Sequence, residues 1–301
     1  MKSTILISGG SGLLGVNWAL WARESFHVVL FTHNQSVEIP GVSSEKTLLE
    51  SVDVLTQRLE LIRPDYVVHA AALTDVEFCE RNPDLAYLVN AKLAENMAIA
   101  CKYLSIPLAH ISTDHLFCSK KHYVDEETLV SPMNTYGKTK AQAEKYIMNI
   151  FPNALIVRTN FYGWGPRYRN SFSDWILQKL SKGEQLKLFY DVCFTPIYVE
   201  ELIEVVHRLF EKKSSGVYNI VGNERVSKYQ FGLKLAKIFQ LDDGQICASS
   251  IHSVSGLVRR PSEMSLSNKK VSKELNIKFG DIEDHIYLMK NSKNKKFIDL
   301  I

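Results

Sequence analysis

The sequence predicts an α/β protein, with a doubly wound parallel sheet covered by helices on both faces and a smaller lobe in the C-terminal half. Up to Arg158, short β-branched runs alternate with segments of helical periodicity, which is typical of strands joined by crossover helices. A glycine-rich turn follows the first of these runs. Beyond Arg158 the alternation gives way to aromatic residues, prolines and short elements, which indicates a second structural unit.

The elements of the first half follow from this alternation. Each crossover between consecutive strands should be right-handed, so that the strands form a single parallel sheet. The predicted strands are Ser3–Ser8, His27–Thr32, Tyr66–His69, Leu108–Ser112 and Ala154–Arg158, and the predicted helices are Leu13–Glu24, Val54–Ile62, Pro83–Leu104 and Thr135–Phe151.

The second half contains fewer clear elements. We expect a helix at Glu200–Lys212, a strand at Gly216–Val221 and a helix at Lys228–Phe239. The 301 residues exceed the size at which one core usually stays undivided. We assign residues 1–160 to a dinucleotide-binding sheet domain to which about 190–221 return, and residues 161–189 and 222–301 to a substrate-binding lobe.

The composition argues against several classes of function. The 36 Lys and Arg residues barely outnumber the 33 Asp and Glu residues, so the net charge of +3 is too small for a nucleic-acid-binding surface. No stretch approaches the ~20 apolar residues that cross a bilayer, so we expect no membrane partner and a cytoplasmic location. The five cysteines are odd in number and form no Cys-x-x-Cys pair, which favours a reducing compartment and no metal site.

The glycine turn between the first strand and the first helix predicts a Rossmann-type dinucleotide site. Gly9 would permit the tight turn, Gly12 would let the backbone approach a pyrophosphate, and Gly15 would let the helix pack against the sheet. The helix N-terminus would supply free N–H groups to the phosphate. The alternative is a tight turn that needs glycine for its own geometry. The expected cofactor contacts here are Gly9, Ser11, Gly12, Leu13, Leu14 and Gly15.

The end of the second strand bears on the choice of cofactor. An acidic residue there would bind the ribose of NAD, and an arginine would favour NADP, but the sequence continues with Thr32, His33 and Asn34. Nothing at this point repels a 2′-phosphate, so we prefer NADP(H), with NAD(H) as the alternative. His33 is a candidate partner of that phosphate or an exposed loop residue. Asp53 and Val54 are candidate adenine contacts, and Asp53 could instead be a helix cap.

A tyrosine and a lysine stand four residues apart in the fourth predicted helix, which places Tyr136 and Lys140 on one helix face. A phenol has an unperturbed pKa near ~10, and a neighbouring ammonium would lower that pKa. Lys140 could also hold the nicotinamide ribose. Thr113 follows a strand at the carboxyl edge of the sheet, where it could orient a substrate carbonyl. A surface pair and a strand-end turn residue are the alternatives.

These motifs occur together in the order found in extended short-chain dehydrogenase/reductases, which the chain resembles from about Ile5 to Lys273. Within that superfamily the chain is similar to the dTDP-4-dehydrorhamnose reductase group. The similarity lies in the glycine turn, Ala70-Ala71-Ala72, Ile111–Phe117, Tyr136-x-x-x-Lys140, Arg158–Gly163, Thr195–Val199 and Arg260-Pro261.

The resemblance implies that Tyr136 gives a proton to a sugar keto group while a nicotinamide delivers hydride. It also implies that Lys140 tunes Tyr136 and that Thr113 polarises the carbonyl. Arg260, or its neighbour Arg259, would hold the nucleotide diphosphate, a role that suits a guanidinium fork. The expected substrate-binding residues are Thr74, Asp114, Asn160 and Arg260, and the small-residue segment beside the cofactor is Ala71, Ala72 and Leu73.

The expected activity is an NAD(P)H-dependent reduction of a nucleotide-linked 4-keto-6-deoxy sugar for a polysaccharide pathway such as dTDP-rhamnose biosynthesis. His115 stands where the related dehydratases carry glutamate, which favours a reductase. Leu73 and Asp191–Phe194 depart from the usual reductase pattern and leave the sugar open. The alternatives are an epimerase with tightly held NAD and a regulatory subunit that binds cofactor without catalysis. A homodimer is compatible with the fold.

Overall fold

The computed structural model describes residues 2–118 and 120–298. Its strands are β1 Thr4–Ser8, β2 His27–Thr32, β3 Val42–Lys46, β4 Tyr66–His69, β5 Leu108–Ile111, β6 Leu155–Arg158, β7 Phe161–Tyr162, β8 Leu186–Phe189, β9 Cys193–Phe194, β10 Ile197–Tyr198, β11 Gly216–Asn219, β12 Val226–Ser227, β13 Ile246–Ser249 and β14 Glu263–Met264. Its α-helices are α1 Leu13–Ala22, α2 Val52–Ile62, α3 Val76–Arg81, α4 Pro83–Tyr87, α5 Leu93–Leu104, α6 Thr135–Ile150, α7 Phe172–Ser181, α8 Val199–Glu211, α9 Lys228–Phe239, α10 Lys269–Leu275, α11 Ile282–Lys290 and α12 Lys295–Ile298.

The main sheet has seven strands in the order β11-β6-β5-β4-β1-β2-β3. All neighbouring strands in it run parallel. The chain enters the sheet at β1, adds β2 and β3 on one side, and then crosses back to add β4, β5, β6 and β11 on the other. The predicted fold class, a doubly wound Rossmann-type sheet, is therefore confirmed. The winding direction switches between β1 and β4, where Ser8 and His69 are register partners.

The sheet is buried on both faces. Side chains alternate along a strand, so Ile5 and Ile7 of β1 pack on one face and Leu6 packs on the other. The Ile5 and Ile7 face is covered by α1 and α8, which contribute Trp18 and Val205. The Leu6 face is covered by α2, α5 and α6. Burial on both faces accounts for the continuous apolar runs that marked the strands in the sequence.

Most elements of the first half lie within one or two residues of their predicted ends, but two were not predicted. β3 is an edge strand of sequence Val-Ser-Ser-Glu-Lys with exposed polar side chains, so it lacks the apolar pattern of a buried strand. The short helix α3 begins after Asp75, whose carboxylate accepts a hydrogen bond from the N–H of Phe78 at 2.8 Å. Six residues are too few to show a helical period.

The predicted helix over Pro83–Leu104 is interrupted by a π-helical turn at Leu88–Lys92, which separates α4 from α5. The prediction of one continuous helix was wrong because hydrophobic periodicity does not reveal a single wide turn. Within this turn Asn90 is fully buried. Its amide accepts from the N–H of Leu73 at 2.7 Å and donates to Oγ1 of Thr139 at 3.1 Å. The π turn thus ties the segment after β4 to α6.

Beyond β6 the chain builds a second layer from α7, α9, β8 and β13. β8 and β13 pair in parallel, and α9 packs on both strands and on α7. A small sheet in the order β12-β9-β14 adjoins this layer. Both α7 and α9 begin with a capping box, formed by Ser171 with Asp174 and by Ser227 with Gln230. β11 lies in the main sheet, and the division of the chain into a sheet domain and a substrate lobe stays a prediction.

Candidate active site

A crevice opens where β1, β4 and β5 end, at the switch point of the main sheet. Doubly wound sheets bind their ligands at this point. The segment after β6 closes the far side of the crevice with Thr159, Phe161 and Arg169. The lining includes the following residues singled out from the sequence: Gly9, Gly12, Leu13, Leu14, Gly15, Ala72, Thr74, Thr113, Asp114, Tyr136, Lys140 and Asn160.

The glycine turn has the geometry that a bound dinucleotide requires. Gly9 has a φ of +75°, which favours glycine. A Cβ at Gly9 would lie 2.7 Å from the backbone nitrogen of Ala71, and a Cβ at Gly15 would lie 2.6 Å from the carbonyl oxygen of Gly9. Gly12 caps α1 and has no side chain that could bond to the N–H groups of the first turn. A phosphate fits this donor set.

Tyr136 and Thr113 meet in the crevice. The side chain of Asn134 caps α6 by accepting from the N–H of Gly137 at 2.9 Å, which fixes the turn that carries Tyr136. Thr113 is 4% and Tyr136 is 8% exposed. Burial raises the pKa of Tyr136, and its side-chain hydrogen bond with Thr113 only partly opposes that increase. The phenol is therefore protonated at neutral pH.

Lys140 lies beneath the crevice and is 1% exposed. Its ammonium donates to the carbonyl oxygen of Ile111, the last residue of β5, at 2.7 Å and contacts Nε2 of His110 at 3.1 Å. Burial lowers the pKa of Lys140 to about 8, with Glu144 opposing the decrease. The expected lowering of the Tyr136 pKa by Lys140 is not what the structure shows, because the ammonium is bonded to the strand end and burial raises the pKa of Tyr136.

Asp114 and His115 continue the strand-end segment into the crevice. The Asp114 carboxylate is 1% exposed and accepts from the amide of Asn160 at 2.6 Å and from the hydroxyl of Thr113 at 3.3 Å. The His115 ring stands edge-on to Tyr136, with ring centroids 5.4 Å apart. Burial lowers the pKa of His115, so its imidazole is neutral at pH 7. Sequence reasoning used His115 only to argue against a dehydratase and gave it no place in the site.

Two residues that follow β7 reach the crevice and were not predicted from the sequence. Arg169 lines the crevice and donates to Oγ1 of Thr74 at 3.0 Å. The hydroxyl of Tyr168 donates to the carbonyl oxygen of Ser11 at 2.9 Å. In the sequence these residues belong to Arg167-Tyr168-Arg169, which follows Gly165-Pro166. This segment has neither a hydrophobic period nor the spacing of a known motif that could have predicted their position.

The remaining predicted adenine and ribose contacts lie on exposed segments. His33 is exposed immediately after β2. Asp53 and Val54 are exposed in the first turn of α2. The interpretation of Asp53 as the helix cap was wrong, because Ser51 caps α2 by accepting from the N–H of Val54 at 3.3 Å. The role of these three residues toward a cofactor stays a prediction.

Three other predicted residues have structural contacts beside the crevice. Ala71 packs its backbone against Gly9. Leu73 is partly buried in an apolar cluster that contains Tyr136. Arg260 forms an ion pair with Glu77 of α3, and its Nε donates to the carbonyl oxygen of Val258 at 3.2 Å. Arg260 is not among the residues that line the crevice.

Two further findings concern the part of the chain that the structure describes. No group of three or more His, Cys, Asp or Glu side chains in residues 2–118 and 120–298 is arranged to hold a metal ion. None of the helices in these residues has the length and apolar character of a membrane span.

Comparison with known proteins places this geometry among nucleotide-sugar reductases. The family profile of the RmlD substrate binding domain matches residues 1–293. The chain is 26% identical over 285 residues to the probable low-salt glycan biosynthesis reductase Agl14 of Haloferax volcanii, covering 93% of this chain and 95% of that protein. It is 26% identical over 239 residues to dTDP-4-dehydrorhamnose reductase of Aggregatibacter actinomycetemcomitans, covering 77% of each.

Two other similarities bear on fold and on function. The crystal structure of dTDP-4-dehydrorhamnose reductase from Bacillus anthracis in complex with NADP superposes with a TM-score of 0.86 at 24% identity, covering 96% of this chain and 99% of that chain. The methionine adenosyltransferase 2 subunit beta of Xenopus laevis is 25% identical over 293 residues, covering 89% of this chain and 81% of that protein.

Proposed function

This chain belongs to the family of the RmlD substrate binding domain, and from that membership we propose that it is an NADPH-dependent reductase of a nucleotide-linked 4-keto-6-deoxy sugar. The observation that carries the proposal is the meeting of Thr113, Tyr136 and Lys140 in one crevice with the glycine turn. The similarity to a dTDP-4-dehydrorhamnose reductase supports a dTDP-linked substrate, and the similarity to a glycan biosynthesis reductase supports a role in glycan assembly.

The crevice suits a nicotinamide dinucleotide, which when bound supplies the hydride for the reduction. Gly9, Gly12 and the uncovered N–H groups at the start of α1 would hold its diphosphate. We prefer NADPH to NADH because β2 ends at Thr32 without a carboxylate that would repel a 2′-phosphate. The exposed His33 would contact that phosphate, and Asp53 with Val54 would contact the adenine.

The proton would come from Tyr136. Its hydroxyl is protonated at neutral pH because burial raises its pKa, and Thr113 lines the crevice beside it. A protonated phenol is the form that donates to a developing alkoxide on the sugar.

Lys140 would hold the nicotinamide ribose. An ammonium has three N–H donors, and the carbonyl of Ile111 and the ring of His110 occupy two of them. The third would reach the ribose hydroxyls from below the crevice. Lys140 would act on Tyr136 through that shared ligand rather than by direct contact.

On the substrate side, Thr74, Asp114 and Asn160 line the crevice and would bind the sugar. Arg169 brings a guanidinium to the same lining, where it would bind the diphosphate. Arg260 would join it only after release from Glu77.

The direct test is the loss of nicotinamide absorbance when the protein meets NADPH or NADH together with freshly generated dTDP-4-keto-6-deoxyglucose. The proposal predicts oxidation that requires the sugar and is faster with NADPH. Equal rates with both cofactors would remove the preference for NADPH. Cofactor oxidation at the same rate without sugar would overturn the proposed reaction.

The similarity to a methionine adenosyltransferase beta subunit favours one alternative, a cofactor-binding regulatory partner. Retention of Tyr136 and Lys140 inside the crevice argues for catalysis instead. A stable complex with another enzyme, without reductase turnover, would support the regulatory role.

We also propose a cytoplasmic location. The described cysteines are all free, which suits a reducing compartment. A homodimer is compatible with this fold, and sedimentation of the purified protein would decide the oligomeric state.

A further inference from the structure

Three polar side chains form a row across the main sheet, at the strand ends that open into the crevice. Ser8 of β1, His69 of β4 and His110 of β5 are register partners in neighbouring strands. Register partners in a parallel sheet point to the same face, and here it is the face of Leu6, which α2, α5 and α6 cover. All three side chains are buried. The row therefore interrupts an otherwise apolar side of the sheet.

The row ends at Lys140 of α6. The hydroxyl oxygen of Ser8 lies 2.7 Å from Nδ1 of His69. The rings of His69 and His110 stack, with centroids 5.4 Å apart and 21° between their planes. Nε2 of His110 then lies 3.1 Å from the ammonium nitrogen of Lys140. His110 is thus held between a stacked ring on one side and the ammonium on the other.

Both imidazoles in the row are neutral. Burial lowers the pKa of His69 to about 3, and burial also lowers the pKa of His110, with the charge of Lys140 as a further cause in both cases. A neutral imidazole has one donor nitrogen and one acceptor nitrogen. Because an ammonium can only donate, Nε2 of His110 is the acceptor and Nδ1 carries the proton.

An imidazole at this place has a cost for the stability of the fold. Nδ1 of His110 and Nε2 of His69 are buried, and they have no hydrogen-bond partner among residues 2–118 and 120–298. A buried polar atom without a partner destabilises a folded protein, whereas an apolar side chain of similar size would fill the same space without that cost. The stability of the sheet therefore does not explain His110, but its contact with Lys140 does.

His110 gives the ammonium of Lys140 a direction. The ammonium has a second acceptor, the carbonyl oxygen of Ile111, at 2.7 Å. The three N–H groups of an ammonium are arranged tetrahedrally, so two fixed acceptors set the direction of the third N–H. With the carbonyl alone, the ammonium could rotate about that single hydrogen bond. Lys140 lines the crevice, so its third N–H is the one available to a ligand there.

We propose that His110 is a positioning residue that orients the ammonium of Lys140 toward the nicotinamide ribose, and that His69 with Ser8 holds the imidazole of His110 in place. The inference rests on the proposed function, since it assumes a nicotinamide dinucleotide in the crevice. His110 is not among the residues that line the crevice, so it acts through Lys140 and not on the cofactor itself.

The test compares two replacements of His110 that have a similar volume. His110→Leu removes the acceptor, whereas His110→Gln places an amide oxygen near the position of Nε2. A fluorescence titration measures the dissociation constant for NADPH. We expect the Leu variant to bind NADPH about tenfold more weakly than wild type, because a hydrogen bond of a charged group is lost, and the Gln variant to stay within about threefold of wild type.

His207→Leu is the matched control. His207 is also a buried histidine, and its Nε2 accepts from the indole N–H of Trp18 at 2.9 Å, but it belongs to α8 on the other face of the sheet. Loss of this hydrogen bond should lower the melting temperature and leave the affinity for NADPH unchanged. For His110→Leu we expect weaker NADPH binding without a lower melting temperature. If that variant does not fold, His110→Phe also removes the acceptor and keeps a ring beside His69.

The outcomes separate this inference from the proposed function. Unchanged NADPH affinity in the Leu variant would overturn the inference and leave the proposed function intact. Equal losses in the Leu and Gln variants would also overturn it, because the shape of the imidazole and not its acceptor would then matter. A wild-type protein that binds neither NADPH nor NADH would overturn the proposed function together with the inference.

Discussion

At the scale of single residues, the proposed chemistry depends most on the proton held by Tyr136. Replacing Tyr136 with Phe removes the hydroxyl and keeps the ring that packs beside His115. We expect turnover to fall about 10²–10⁴-fold, the usual contribution of a positioned acid, with little change in affinity for NADPH. Steady-state kinetics and a fluorescence titration of NADPH measure the two effects. Turnover close to the wild-type value would remove Tyr136 from the mechanism.

We expect Lys140 to make cofactor binding dependent on pH. Its pKa is lowered to about 8 by burial, so the ammonium is charged below that pH and loses its proton above it. If the charged form holds the ribose, the affinity for NADPH is constant at lower pH and weakens as the pH rises through about 8. Titrations from about pH 6.5 to about pH 9.5 measure this dependence.

The matched variant for that prediction is Lys140→Met. It should bind NADPH more weakly than wild type below the pKa of about 8, approach the wild-type affinity above that pH, and show no inflection of its own. Its turnover should also fall. A wild-type dissociation constant that does not vary with pH would place the ammonium outside the cofactor site.

Single residues also show how far the sequence could predict the site. The spacing of Tyr136 and Lys140 predicted that they share a helix face, and both line the crevice. The hydrogen bond of Lys140 could not be predicted. Its acceptor is the backbone carbonyl of Ile111 at the end of β5, and because every residue has such a carbonyl, the sequence does not mark this one. Arg260 was predicted from resemblance alone, and its pairing with Glu77 depends on a contact between distant parts of the chain.

At the scale of elements, the glycine turn joins β1, β4 and α1 without room for a side chain. A Cβ at Gly9 would meet the backbone of Ala71 at 2.7 Å, and its φ of +75° is unfavourable for alanine. We expect Gly9→Ala to lower the free energy of unfolding by at least about 2 kcal/mol and to abolish dinucleotide binding. Chemical denaturation and an NADPH titration measure these effects.

Gly41→Ala is the control for that variant. Gly41 also has a positive φ, +81°, but nothing lies within 4 Å of a Cβ built there. It should cost about 1–2 kcal/mol through backbone strain alone and leave NADPH binding intact. Equal loss of binding in both variants would mean that the close contact with Ala71 does not matter for the cofactor.

Elements differ in how well the sequence predicts them. Strands β1, β4 and β5 are buried on both faces and carry apolar runs that only a central strand needs. The edge strand β3 forms through its backbone pairing with β2, which a polar sequence does not reveal. The π turn before α5 also has no apolar pattern of its own, and its buried Asn90 is bonded to Leu73, a contact between distant parts of the chain.

At the scale of the whole molecule, the crevice lies between the main sheet and the segment that follows β6. The sequence predicted the sheet more clearly than that segment. The parallel sheet followed from alternating periodicity, and the order of its strands put the glycine turn, Thr113 and Tyr136 at one edge. The segment after β6 supplies Arg169 from a stretch without period or motif. The segment after β6 is therefore the part of the crevice that sequence patterns predict least.

The most direct test of the central claim follows the hydrogen from cofactor to sugar. The protein is incubated with NADPH deuterated at the transferred position and dTDP-4-keto-6-deoxyglucose, and the nucleotide sugar is analysed by mass spectrometry. The account predicts a reduced sugar that carries the deuterium, and almost none of it with the Tyr136→Phe variant. An isomerised sugar without deuterium would indicate an epimerase, and an unchanged sugar would contradict the account.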